Sequence, residues 1–362
     1  MSKPTSEMLA ATLDGYVDPL IGRGLVASGA VRKIETGWIG KPTVEIELGF
    51  PAAGYQQEFS ERVREHVRAA HGIEIDLKLS WRVQSHAVQK NLQPLPNIKN
   101  LIAIASGKGG VGKSTVAVNF ALGLAAEGAK VGILDADIYG PSQPRMLGVE
   151  NQRPTSKDGK RMNPVMALGI QAMSIGFLMD PEQPTIWRGP MATQALGQLL
   201  GETDWQDLDY LVVDLPPGTG DIQLSLSQRM PVSGAVIVTT PQDIALLDAR
   251  KGLAMFQKVE VTVLGVVENM STHVCTNCGH EEAIFGAGGG ERLAAQYGVE
   301  LLGQLPLDIR IREQADGGKP TVVADPDSEL ARRYRTIART AAARLAYGQG
   351  EAAFPQIEIT DD

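Results

Sequence analysis

The stretch LIAIASGKGGVGKSTVAVNFALGLAAEG, residues 101–128, decides the fold. Leu101–Ala105 is apolar on both faces, the mark of a strand buried on both sides. Ser106-Gly107-Lys108-Gly109-Gly110-Val111-Gly112-Lys113-Ser114-Thr115 follows, and from Val116 the apolar residues recur at helical spacing. Strand, glycine-rich loop, then helix is the setting in which G-x-x-x-x-G-K-[ST] binds phosphate. The glycines let backbone N–H groups, that of Val111 included, turn inward around phosphate oxygens without a Cβ clash. The helix start adds its positive dipole end. Lys113 is expected to reach the β- and γ-phosphates of ATP and the Ser114 hydroxyl to ligate Mg²⁺, with Thr115 completing the loop.

Outward from this loop the same grammar repeats. VGILD at 131–135, YLVVD at 210–214, GAVIVTT at 234–240 and VLGVVE at 263–268 are short apolar runs separated by helical patterns. They read as parallel strands joined by crossover helices, a doubly wound, mostly parallel α/β domain spanning 99–347. Its last helix carries Arg332, Arg335 and Arg339 in a row, which reads as a solvated face or, less simply, as a phosphate patch. Residues 1–85 read differently. Thr5 or Ser6 caps a short helix. Val44, Ile46, Leu48 and Phe50 alternate with polar residues, and Phe59, Val63, Val67 and Ala70 share a helix face that Gly72 ends. Ile73 to Val83 alternates again, giving a small α+β domain. A polar, proline-bearing stretch at 86–98 reads as a linker, and the acidic tail 348–362 as flexible.

Composition sets bounds. A chain of 362 residues carries a soft prior of two domains. Lys and Arg number 34 against 42 Asp and Glu, a net charge of −8, which argues against wholesale binding to nucleic acid or anionic lipid. No run of about 18 apolar residues suggests a membrane span. The N-terminal MSKPTSEM lacks the apolar core of a signal peptide, so a cytoplasmic place is expected.

Two acidic strand ends lie where ligands of such sheets bind. Asp135 and Asp137 follow one strand, and Asp135 is a candidate for the Mg²⁺ site. Asp214 ends four apolar residues as a Walker B acid does and is expected to hold Mg²⁺ through water. The only two cysteines, Cys275 and Cys278, exclude a disulfide framework but form a C-x-x-C turn, with His273 and His280 close by. A tetrahedral metal wants four ligands and an iron–sulfur cluster usually four thiolates. A histidine could complete a zinc site, two chains could pool their thiolates around a cluster or a zinc, or the pair could cycle between dithiol and disulfide.

The early lysine in GKGGVGKST resembles the deviant phosphate-loop ATPases, which include the nitrogenase iron protein, the Min and Par positioning ATPases and the Mrp/ApbC-type iron–sulfur carriers. The resemblance implies that Lys108 reaches across a dimer to the partner's nucleotide, with Lys108, Lys113 and Asp137 as the catalytic set. It implies that Asp137 positions the attacking water, that the Gly218 N–H meets the γ-phosphate, and that the Asn269 amide reads adenine. VVENMSTHVCTNCGHEEAIFGAGGGERLA, WRGPM, DLPPGTGD and LLGQLPLDIRIREQADGGKP are similar to the Mrp/ApbC group, over about two thirds of the chain. The protein is identified as a member of that group. Membership implies a homodimer that holds a labile [4Fe–4S] cluster between two Cys275/Cys278 pairs and hands it to apo-proteins, with cluster-assembly scaffolds as further partners and no nucleic acid or membrane. The first domain more weakly resembles small iron–sulfur assembly factors, but Phe50–Tyr55 lacks the cysteine some members carry there. The competing readings are a Par- or Min-like positioning ATPase and a zinc-bridged nucleotide-binding dimer.

Overall fold

The small α+β elements come first: α1 (Ser6–Asp14), β1 (Val31–Glu35), β2 (Thr43–Leu48), α2 (Gln56–His71) and β3 (Asp76–Trp81). The computed structural model describes residues 4–37, 40–156, 159–179, 189–275, 277–348 and 358–360. Thr5 caps α1 by accepting from the Met8 N–H, and Gly72 at φ 66° ends α2 in the left-handed region that an L side chain resists. Phe59, Val63 and Val67 of α2 are fully buried, as are Val44, Leu48 and Phe50. Ala70 is exposed, so the apolar stripe of α2 stops one turn short of the expectation. Asp18 is buried and ties the domain's entry loop. Its carboxylate accepts from the Leu20 N–H at 2.9 Å and the Tyr55 hydroxyl at 2.7 Å.

The larger part contains β4 (Ile98–Ala105), α3 (Lys113–Ala126), β5 (Val131–Asp135), α4 (Gln143–Met146), β6 (Val165–Ala167), β7 (Ile170–Ser174), α5 (Gly189–Glu202), β8 (Leu208–Asp214), α6 (Asp221–Arg229), β9 (Gly234–Thr239) and α7 (Asp243–Lys258). It continues with β10 (Val263–Asn269), the short β11 (His273–Val274) and β12 (Glu281–Glu282), α8 (Gly289–Tyr297), β13 (Leu301–Leu305), α9 (Ile309–Asp316), α10 (Thr321–Ala324) and α11 (Glu329–Tyr347). Eight strands form one sheet in the order β13-β10-β9-β4-β8-β5-β7-β6. Every pairing in it is parallel except β6 with β7. β4 lies at the centre, between β8 and β9, so its C-terminal end opens at the point where the strand order reverses, the usual crevice for a ligand. β5 and β9 are buried along their whole length, which is why their sequences show no alternation.

The chain divides into residues 1–84 with 342–362, and residues 85–341. Four expectations change. The stretch 86–98 belongs to the larger unit rather than forming a free linker. His86 bonds Asn100 at 2.8 Å, and the Gln89 amide donates to Ser227 O at 2.8 Å and accepts from the Val232 N–H at 3.1 Å. Polar side chains that satisfy main-chain groups far away in sequence leave no periodic signal. The last turn of α11 belongs to the smaller unit. The Tyr347 hydroxyl accepts from the Gly49 N–H at 2.9 Å, and its ring meets Phe50 edge-on with centroids 6.1 Å apart. Within the expected flexible tail, β14 (Glu358–Thr360) pairs parallel with β1, with Glu358 in register with Lys33, and the four-stranded sheet runs β14-β1-β2-β3. The other tail residues after 348 lie outside the described residues. The arginine row of α11 is not one surface. Arg339 pairs with the buried Glu127 at 3.2 Å, next to the end of α3.

Candidate functional site

The loop at the end of β4 takes the path its glycines allow. Gly110 and Gly112 stand at φ 82° and 80°, where other residues are strained. A Cβ on Gly107 would lie 2.2 Å from the main chain of Asp248 in α7, so the loop rests directly on that helix. Gly112 is also the N-cap of α3. No side chain caps that helix and its first turn holds no acidic residue, which leaves the task of meeting its N–H groups to an anion.

Lys113 is almost fully buried, and its ammonium forms a short ion pair with Asp214 and a 3.2 Å hydrogen bond to the Ser114 hydroxyl. Asp214 is fully buried, and its second oxygen accepts from the Gln143 amide at 2.9 Å. The same amide nitrogen donates to Ser114 O at 3.1 Å. Gln143 opens α4, and no spacing rule singles it out in the sequence; only its burial against Asp214 reveals it.

Asp135 is fully buried with both oxygens engaged. One accepts from the Asp137 N–H at 3.2 Å, the other from the Ser142 and Gln143 N–H groups at 2.9 and 3.0 Å and the Ser174 hydroxyl at 3.1 Å. It therefore organises the 137–143 loop from behind, whereas the sequence suggests a Mg²⁺ ligand. Burial, and then the neighbouring Asp214 charge, push its carboxyl up to about 7. Asp137 is half-buried, and burial raises its carboxyl while Lys113 pulls it back. Three carboxylates thus face one buried ammonium. This excess of negative charge, with the Ser114 hydroxyl beside it and the buried Gln143 Oε1 lacking a hydrogen-bond partner, fits a hard divalent cation such as Mg²⁺.

The remaining expected residues also have definite places. Lys108 points its ammonium towards Gln242 Oε1, 3.5 Å away at the start of α7, and its carbonyl accepts from the Ser106 hydroxyl at 2.9 Å. The Gly218 N–H donates to Ser106 O at 3.0 Å, so meeting a phosphate requires this bond to break. Gly218 has φ 102° and open space beside it, conditions for such a turn to move. The Asn269 amide donates to Val111 O at 2.9 Å and fills the space beside Gly112, so here it braces the phosphate loop.

Cys275 and Cys278 sit at the turn of a small hairpin, in which β11 pairs antiparallel with β12. The Cys275 N–H donates to His280 O and the Gly279 N–H to Cys275 O, both at 2.9 Å, and Gly279 turns at φ 72°. Cys278 is exposed and Cys275 half-buried. N–H groups of Cys278 and then Asn277, with the Cys278 side chain, lower the Cys275 thiol below its ordinary value. His273 donates through Nδ1 to Leu307 O at 3.0 Å, since that carbonyl can only accept. Among the described residues no three His, Cys, Asp or Glu side chains converge as a metal site. Neither histidine therefore joins the cysteines in a single-chain zinc site. Trp187 and Arg188 of WRGPM lie outside the described residues.

A central parallel sheet with this loop at its switch point defines a phosphate-loop nucleoside triphosphatase fold. The family model described as NUBPL iron-transfer P-loop NTPase, within ParA, matches residues 97–342. The chain is 54% identical over 347 residues to the iron-sulfur cluster carrier protein of Escherichia coli strain K12, covering 95% of this chain and 93% of that one. It is 49% identical over 266 residues to the iron-sulfur cluster transfer protein NUBPL of Mus musculus, covering 73% and 83%. A solved nucleotide-binding protein from Archaeoglobus fulgidus, in complex with ADP, superposes with a TM-score of 0.56 at 38% identity, over 65% of this chain and 91% of that one. The chain belongs to the NUBPL-type iron-transfer P-loop NTPase family.

Proposed function

We propose that this chain is an ATP-hydrolysing iron–sulfur cluster carrier of the cytoplasm. It works as a homodimer that holds a labile [4Fe–4S] cluster between two Cys275/Cys278 pairs and passes it to apo-proteins. The observation that carries this reading is the hairpin. It presents two thiols at one exposed turn, one of them with a lowered pKa, and no third ligand joins them among the described residues. Four thiolates then require two chains. The sequence relatives named as cluster carriers support the cargo, and the phosphate loop supports the nucleotide.

In the ATP site the loop N–H groups and the α3 start bind the triphosphate. Lys113 turns from Asp214 to the β- and γ-phosphates, and Ser114 and Asp214 would hold Mg²⁺, with Asp135 fixing the loop behind them. Mg²⁺, when bound, supplies positive charge to the phosphate oxygens. Asp137 orients a water for in-line attack, ATP and water giving ADP and phosphate. Lys108 of the partner subunit neutralises charge developing on the phosphates. Ile244 and Leu247, 69% and 53% exposed on the first turns of α7 beside Gln242, offer an apolar surface next to Lys108 for a second copy to cover.

A mixing experiment tests the shared ATP site. Lys108→Ala and Lys113→Ala are each expected to be inactive as homodimers. A mixed dimer has one intact site, because the Lys113→Ala subunit still lends Lys108 to its partner. Equal mixing is expected to restore about a quarter of wild-type hydrolysis, from half the dimers carrying half the sites. No recovery in mixtures shown to exchange subunits would mean that Lys108 acts within its own chain.

A further inference from the structure

Glu268 is buried, charged and unused by the chemistry above. It precedes Asn269 at the end of β10, and successive strand residues face opposite sides of a sheet. Asn269 braces the phosphate loop at Val111 O. Glu268 reaches the other way. Its Oε2 accepts from the Gly290 N–H in the first turn of α8, and its Oε1 accepts from the Gln304 amide of β13 at 2.9 Å.

The bond to Gly290 closes the segment that carries the cysteines. That segment leaves β10 after Asn269, forms the β11–β12 hairpin and ends at α8. On its incoming side the Ser271 N–H and hydroxyl donate to Leu305 O at 2.9 and 3.1 Å, and the Leu307 N–H donates to Thr272 O at 2.7 Å. On its outgoing side α8 has Gly288 as N-cap, at φ 66°, with no side-chain cap of its own. The Glu268 carboxylate does that work from a neighbouring strand, where negative charge suits the helix start. The approach is close: a Cβ on Gly290 would lie 2.9 Å from Glu268 Cβ.

We infer that Glu268 is a positioning residue: it fixes the outgoing end of the cysteine segment to the strand end that braces the phosphate loop, and so carries nucleotide state to the thiols. Two consecutive residues hold the two functional segments, and a shift of the loop against Asn269 displaces the anchor of α8. The inference rests on Cys275 and Cys278 being the cluster ligands.

The test measures iron release to a chelator from the anaerobically reconstituted full chain, with and without ATP and Mg²⁺, together with ADP affinity. In wild type the two release rates are expected to differ. In Glu268→Ala their ratio is expected to fall to about one, which is zero coupling, while ADP affinity stays within about twofold because Asn269 is intact. Glu268→Asp keeps the charge but shortens the reach, and is expected to lose the response in the same way, which covers a failure of the alanine variant to fold. Glu268→Gln keeps the reach and an acceptor for the Gly290 N–H, and Gln304 can turn its amide to match, so the response is expected to return. A wild-type ratio of one, or a full nucleotide response in both Glu268→Ala and Glu268→Asp, overturns the inference. Unchanged iron in Cys275→Ser would instead overturn the reading of the cysteines, whatever Glu268 does.

Discussion

Serine at Cys275 is expected to remove bound iron, from about two per chain to a tenth of that or less, with sulfide lost in parallel. A serine hydroxyl stays protonated at neutral pH, whereas the Cys275 thiol is lowered by N–H groups of Cys278 and Asn277. One change per chain removes two of the four pooled ligands. The hairpin itself is held by main-chain bonds, Cys275 N–H to His280 O and Gly279 N–H to Cys275 O, which serine keeps. Thermal stability and ADP binding are therefore expected to stay near wild type. Iron and sulfide contents equal to wild type would place the cargo elsewhere.

Methionine at Lys113 is expected to lower hydrolysis by about a hundredfold or more, since it removes the main fixed charge aimed at the phosphates. It carries a second consequence that a surface lysine would not. Lys113 is the ammonium paired with the fully buried Asp214, next to the buried Asp135. Removing one partner of a buried ion pair costs about 3–5 kcal/mol because the other charge is left alone. Lys113→Met is thus expected to lower the melting temperature of the nucleotide-free protein. Lys113→Met with Asp214→Asn is expected to recover much of that loss while hydrolysis stays absent. Calorimetry of the two variants checks the first point and phosphate release the second. Equal melting temperatures for wild type and Lys113→Met would mean that the buried pair contributes little.

The phosphate loop, Asp214 and the cysteine turn were legible because each is local. A fixed spacing at a strand end puts the chemistry within a few residues of the element that positions it. The central strands were legible for a related reason, since β5 and β9 are buried along their whole length and β8 carries an unbroken apolar run at 210–213. What distance in sequence hides is different. β6, β7 and β13 are three to five residues long and resemble many coil segments. Gln143 and Glu268 act through single hydrogen bonds to Asp214 and Gly290, and an isolated Gln or Glu carries no periodic signal. Polarity misled at 86–98, where His86 and Gln89 are polar because they satisfy groups of the larger unit. It misled again at Arg339, whose charge is spent on the buried Glu127. Asn269 shows the limit of motif reading, since the strand-end position was plain but its bond to Val111 O was visible only in three dimensions.

The claim that two chains share one cluster rests on the hairpin, and one measurement addresses it most directly. Iron, sulfide and zinc are determined per chain on anaerobically reconstituted protein, on the same sample whose mass in solution is recorded. A dimer with about two iron and two sulfide per chain, one four-iron cluster for two subunits, and no zinc is the expected result. About half a zinc per chain without sulfide would mean a structural bridge instead. A monomer with a full cluster would contradict the shared site outright.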